Sequence, residues 1–152
     1  MSEPITFTSA SARFALPFLF AGQAQKEFFV NEALARADIL FHPSVEGEQA
    51  APPATFEDGQ CWLVADEAQG EWAGNGGAIA GRQASRWVFV KPRDGMQIFD
   101  KQTGQKVLFV GRWQRVSAPE LPTSGTVIDT EVRAALGNLI ETLRNAGIFS
   151  AI

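Results

Sequence analysis

The sequence predicts an α+β fold with an N-terminal arm and helix, a small antiparallel β-sheet or barrel, and a C-terminal oligomerising helix. Three observations predict it. Apolar residues recur at helical spacing over residues 23–42 and again over 127–148. Between these segments, short apolar runs alternate with glycine-containing turns, as in small β domains. Seven of the twelve phenylalanines fall in the first 41 residues, so this part of the chain must pack on something.

The N-terminal arm covers residues 1–22 and carries an apolar run from Phe14 to Ala21. Spanning a bilayer takes roughly 20 apolar residues, so this run is too short to be a membrane helix. Pro17 interrupts it, and the residues before it lack the basic start of a secretion signal. We therefore expect an assembly surface here, and neither a signal nor an anchor.

A helix follows over residues 23–42 and presents an apolar face. That face is predicted to contain Val30, Ala33, Leu34, Ala37, Leu40 and Phe41. Pro43 should end the helix, because proline has no amide hydrogen to donate. A loop rich in proline and glycine leads from there to the β domain.

The β domain is predicted over residues 56–117, where runs such as "CWLVA" and "RWVFV" are separated by "AGNGG", "PRDG" and "KQTGQ". Glycine in these turns supplies the positive φ that tight hairpins need. Residues 118–126, "APELPTSGT", contain two prolines and a glycine and are predicted to form a hinge.

The C-terminal helix is predicted over residues 127–148, with Asp129 as its N-cap. Its apolar residues are spaced by four and three, which is the a/d pattern of a coiled coil. We therefore predict an oligomer interface formed by this stripe together with phenylalanines of the arm and first helix. The predicted interface residues are Val132, Leu136, Leu139, Leu143, Phe18, Phe20 and Phe28.

The residues that usually carry catalysis are sparse. His42, the single histidine, precedes a proline at a helix end, where it needs no catalytic partner. Cys61 lies in an apolar strand, where thiols are usually inert, and no Cys/His cluster has zinc spacing. We predict no enzyme, catalytic residue, cofactor or metal. A glycosidase using carboxylates near Asp58 stays open as a third hypothesis.

Charge is unevenly distributed along the chain, whose net charge is −4. Seven acidic and no basic residues lie between Glu46 and Glu71, and eight basic residues lie between Arg82 and Arg115. These segments could pair within one sheet, or they could form a bipolar surface that docks copies of the chain head to tail in a ring or binds an acidic partner. The sequence does not separate these two interpretations. The acidic balance predicts no nucleic-acid partner, and the short apolar runs predict no membrane partner.

Tryptophan offers a second functional hypothesis, because its ring can stack on the face of a sugar. Trp72 lies in a turn-rich stretch where we expect it to be exposed, and Arg82 and Arg86 follow it. These three residues are the candidate glycan contacts of a carbohydrate-binding module for cell-surface polysaccharide.

The motifs taken together resemble a known family. "QAQKEFFVNEALARADIL", "PPATFEDGQCWLV", "EWAGNGGAIA", "RWVFVKPRDGM" and "VIDTEVRAALGNLIETLRNAGI" look like an uncharacterised-domain family of virion proteins in phages and gene transfer agents. Its members are similar to head-spike bases, spikes and tail fibres. The resemblance extends from about Leu16 to Ile148 and has no catalytic residues to transfer.

This resemblance implies a structural protein that decorates a capsid. It implies a homo-oligomeric head-spike base, or adaptor, with a capsid protein on one side and a receptor-binding spike or fibre on the other. A pentamer is the first expectation, since a capsid vertex is five-fold, and a trimer is the second. The expected location is the capsid surface of the virion, after synthesis in the bacterial cytoplasm.

Overall fold

A computed structural model of the protein describes residues 16, 17, 19, 22, 24, 26–83, 86–122 and 129–151. Within these residues, two helices and eight strands form an α+β fold, which confirms the predicted class. The helices are α1 (Lys26–Leu40) and α2 (Thr130–Asn145). The strands are β1 (Ser44–Val45), β2 (Glu48–Gln49), β3 (Cys61–Val64), β4 (Ile79–Gln83), β5 (Arg86–Val90), β6 (Gln97–Asp100), β7 (Gln105–Val110) and β8 (Arg112–Gln114).

The described strands make two open, mixed sheets and do not close into a barrel. One sheet has the order β1-β6-β7-β8 and the other β2-β3-β4-β5. The hairpins are antiparallel as expected, but β1 pairs with β6 and β2 pairs with β3 in parallel. Each parallel pairing involves two residues on either strand. The short strands β1 and β2 both follow α1, and through these pairings β1 joins one sheet and β2 joins the other.

The main core lies where α1 and the two sheets meet. It contains Ile39, Val45, Leu63, Ile79, Val90, Met96, Ile98 and Val107. Successive residues of a strand face opposite sides of the sheet, so β3 and β4 also supply a second core. That second core contains Trp62, Val64, Trp72 and Ala80. The sheet β2-β3-β4-β5 is therefore apolar on both faces.

Helix α1 lies against bare backbone of the second sheet. A Cβ atom built on Gly81 would lie 2.5 Å from Ile39 Cδ1, so glycine is what allows this approach. His42 has a φ of 54° after the last turn and precedes Pro43, a left-handed end followed by a proline stop. The predicted face of α1 is only partly covered, because Leu34 and Phe41 remain exposed.

Helix α2 begins where its sequence predicts. Asp129 Oδ1 accepts hydrogen bonds from the amides of Glu131 and Val132, at 3.1 and 2.9 Å. Beyond the helix, Gly147 O accepts from the amide of Lys106 at 2.6 Å, and Phe149 bridges to Val116. The C-terminal end is therefore attached to the first sheet.

Most of the predicted arm lies outside the described residues, as do Phe18, Phe20 and positions 123–128 of the hinge region and helix start. Among the described helices, neither is long and apolar enough to cross a bilayer.

Candidate functional site

The candidate site is the exposed apolar face of α2, which packing among the described residues leaves partly uncovered. The helix faces the rest of the chain with Ile140, which is 5% exposed. Arg133 lies on the same side and donates to Pro122 O at 2.9 Å. Val132 and Leu139 of the predicted stripe are 61% and 54% exposed. The contact of α2 with its own chain is therefore offset from the stripe.

The other two stripe residues, Leu136 and Leu143, are half-buried at the border between these faces. Val132, Leu136, Leu139 and Leu143 thus form a partly open apolar surface along α2, which we call the α2 band; it is the stripe predicted from the sequence. Ile140, which makes the intrachain contact, was missed by the sequence reasoning because it is not in the heptad pattern.

A second open apolar surface lies between α1 and the outer edge of β5. It is a groove of about 750 Å³ lined by Phe28, Trp87 and Phe89, with Arg86 and Lys91 among its cationic residues. Phe28 is 56% exposed and contacts Phe29 edge to face, with ring centroids 5.9 Å apart. Within the described residues, β5 is the last strand of its sheet. This groove and the α2 band are both open apolar surfaces of the described residues.

The expected exposure of Trp72 is wrong: its side chain is 0% exposed. Its ring packs edge to face on Trp87 at 5.1 Å and tilted on Trp62 at 6.4 Å. The cause is a 3-10 turn at Gly70–Trp72, which directs the ring beneath the second sheet. Trp72 therefore has no free face on which a sugar could stack.

The arginines expected beside it differ in role. The guanidinium of Arg82 lies 4.3 Å above the centre of the Phe56 ring and 5.1 Å from that of Trp87. It is therefore used to cover this aromatic cluster, a cation–π arrangement. Arg86 lies in the groove beside α1, so the structure does not bring the three predicted glycan contacts together on one open surface.

One small cavity brings Cys61, His42 and Asp38 together, a residue set that sequence spacing did not suggest. The pKa of the Cys61 thiol is raised from 9.0 to about 11, chiefly by burial and secondly by the nearby charge of Asp38. A nucleophilic cysteine needs the opposite shift, toward the thiolate. This geometry therefore favours an inert thiol. Within the described ranges, no group of three His, Cys, Asp or Glu side chains could hold a metal ion.

The segregated charges pair partly within the chain. Lys101 Nζ lies 2.7 Å from Glu46 Oε1. Arg115 joins Glu48, at 2.7 Å, to the buried Asp100, at 3.1 Å, and so links the two sheets. Burial alone would lower the pKa of Arg115, but its hydrogen bonds to both carboxylates raise it above the usual value. These charges therefore pair within the chain, but the Arg115 pairs connect the two sheets, whereas the first interpretation expected pairing within one sheet.

Comparison with known proteins adds a family. A family model described as a protein of unknown function, DUF2793, matches residues 30–114, which include α1 from its fifth residue and all eight strands. No curated protein matches the chain.

Proposed function

The chain belongs to the DUF2793 family of proteins of unknown function, and we propose that it is a homo-oligomeric structural component of a phage or gene-transfer-agent particle. In this proposal it is a head-spike base that joins the capsid surface to a receptor-binding fibre. Its work is to assemble, and it carries out no catalysis.

The observation that carries this proposal is the α2 band. A helix normally turns its most apolar side inward, yet Val132 and Leu139 point away from the chain while Ile140 makes the intrachain contact. Heptad spacing is the pattern that packs helices of separate chains side by side. A second copy of the chain, which carries the same band, is the partner that this pattern fits.

The groove beside α1 supplies additional area. Two heptads alone bury too little apolar surface for a stable bundle, and large exposed apolar patches usually mark interfaces. Phe28 is exposed at the groove, and Leu34 and Phe41 are exposed elsewhere on or beside α1. Their burial against neighbouring copies would stabilise a ring whose centre is the α2 bundle.

The assignment to a virus-like particle rests on the resemblance of the sequence motifs to virion decoration proteins. A ring of five copies would match a capsid vertex, and a ring of three would match a fibre. The partners in this proposal are therefore the chain itself, the capsid protein and the spike or fibre protein.

The self-association is tested with a double variant, Val132→Asp with Leu139→Asp. Each replaced side chain is about half exposed in the single chain, so an interface would gain about 1 kcal/mol from burying each of them. Losing about 2 kcal/mol per copy should weaken association more than tenfold. Sedimentation velocity should show a shift from oligomer toward monomer.

The matched control is Ala134→Asp with Asn138→Asp, which adds charge to the same helix at exposed positions off the stripe. It should sediment as the unaltered oligomer. If both double variants dissociate equally, the stripe has no special role and the proposal fails.

The particle assignment is tested by quantitative mass spectrometry of gradient-purified particles from cells that make the chain. We expect the chain in fixed proportion to the capsid protein, with the stripe variant depleted and the control variant retained. Particles without the chain would refute the virion assignment while leaving the self-association test unaffected.

A further inference from the structure

We infer that the cavity between the glycine-rich turn at residues 74–77 and the β7–β8 hairpin binds a saccharide that carries a carboxylate. This site is separate from the α2 band, and it adjoins the α1 groove, with which it shares Lys91. It also lies apart from the buried Trp72, where the sequence suggested a sugar contact.

The cavity has the size and composition of a ligand site. Its volume is about 520 Å³, within the range of roughly 300–1,000 Å³ usual for small-molecule pockets. Bare backbone forms part of its wall, because Gly74, Gly77 and Gly111 line it. A Cβ built on any of the three would meet no atom within 4 Å. A ligand can therefore approach the main chain closely.

An aromatic platform forms another wall. The indole of Trp113 lines the cavity and donates from Nε1 to Gly77 O at 2.8 Å, which fixes the plane of the ring. Phe109 supports it edge to face, with ring centroids 5.1 Å apart. Trp113 packs against the main core and is half-buried, so the residue keeps some exposed surface where it lines the cavity. A fixed, partly open indole suits the apolar face of a pyranose ring.

Some charged side chains of the cavity are paired within the chain, and others have no such partner among the described residues. Arg115 is held by Glu48 and Asp100 and serves the fold. Lys91, Arg112 and Asp66 also line the cavity, and all three are exposed. Within the part of the chain that the structure describes, none of these three side chains has a hydrogen bond or ion pair. They are free to bind a ligand.

These groups fit an acidic sugar. Two free cations against one free carboxylate favour an anion, and arginine binds a carboxylate through two parallel hydrogen bonds. Asp66 can accept hydrogen bonds from the hydroxyl groups of a sugar ring. A simple inorganic anion has no such hydroxyl groups. The combination of cations, an acceptor and an indole platform therefore selects a hydroxylated, carboxylated ring.

The test measures binding of three probes to the full chain by isothermal titration calorimetry. The probes are oligogalacturonate, a hyaluronan tetrasaccharide and sialyllactose, and the methyl ester of any binding probe is measured beside it. We expect at least one probe to bind with a Kd below about 1 mM and its methyl ester to bind about tenfold or more weakly. No binding by any probe would overturn the proposal.

Arg112→Ala should weaken binding about tenfold or more, because it removes the carboxylate partner. Arg112→Lys should recover part of the loss. The matched control is Lys106→Ala, which removes an exposed cation of β7 that does not line the cavity, and it should change the Kd less than twofold. Equal weakening by both alanine variants would mean diffuse charge attraction and would refute the site. The stripe variant Val132→Asp with Leu139→Asp should bind normally, so loss of assembly and loss of this site are distinguishable.

Discussion

Replacing Arg115 by methionine should remove the ion pairs that join the two sheets and so lower the free energy of unfolding. The apolar core should stay intact. Arg115 donates to Glu48 on β2 and to Asp100 on β6, one residue in each sheet. Asp100 is 1% exposed, and its other oxygen accepts from the amides of Gln102 and Thr103 at 3.0 and 3.3 Å. The variant therefore leaves a buried carboxylate with two backbone donors and no cation.

The expected magnitude follows from that burial. Removing one partner of a fully buried ion pair costs about 3–5 kcal/mol. The side chain of Arg115 is 30% exposed, so water can partly replace it, and we expect a loss of about 2–3 kcal/mol. Glu48 is more exposed, at 38%, and Glu48→Gln should cost no more than about 1 kcal/mol.

Urea denaturation at pH 7 gives the free energy of unfolding of both variants. All samples should have the same protomer concentration, because self-association would add to the apparent stability. A rescue variant sharpens the test: Asp100→Asn added to Arg115→Met removes the unpaired charge and retains an acceptor for the turn amides. It should be more stable than Arg115→Met alone by about 1 kcal/mol or more. The reasoning is refuted if Arg115→Met costs no more than Glu48→Gln, or if the rescue variant is the less stable one.

Three further outcomes are expected. The pKa of Cys61 is near 11 in the folded chain, against an ordinary value of 9.0. At pH 8 the thiol should therefore react with a thiol reagent about 100-fold more slowly in the folded chain than in the urea-unfolded chain. Comparable rates in the two states would contradict its burial. Because that pKa is raised in the folded chain, its contribution to stability is complete below pH 9 and declines as the pH rises toward 11; Cys61→Ser should flatten this decline in urea titrations. Asp129→Ala should lower the helicity of α2 and cost about 1 kcal/mol in urea denaturation by removing its N-cap, whereas an unchanged midpoint would show that the cap is dispensable.

The elements that could be predicted from the sequence are those whose signals are local. Asp129 begins α2 because a cap acts over three residues, and Pro43 lies just beyond α1 for an equally local reason. The hairpins follow from their glycine turns. The heptad stripe was visible because it needs only the order of residues along one helix.

What could not be predicted depends on contacts between distant segments. Trp72 looked exposed because its neighbours form turns, but its burial is set by β3 and β5, whose tryptophans contact its ring. The parallel pairs of β1 with β6 and β2 with β3 involve two residues each, too few to leave a pattern. The cavity at Trp113 forms only when Gly77 reaches the hairpin, 36 residues away in the chain.

The central claim is that copies of this chain associate through the α2 band. The most direct test is the mass of the unaltered full chain in solution, measured by light scattering over a range of concentrations. The account predicts a mass of five times the 16.5 kDa of one chain, or three times that value, which falls toward one chain in the Val132→Asp with Leu139→Asp variant. A mass of one chain at every concentration, unchanged by the variant, would contradict it.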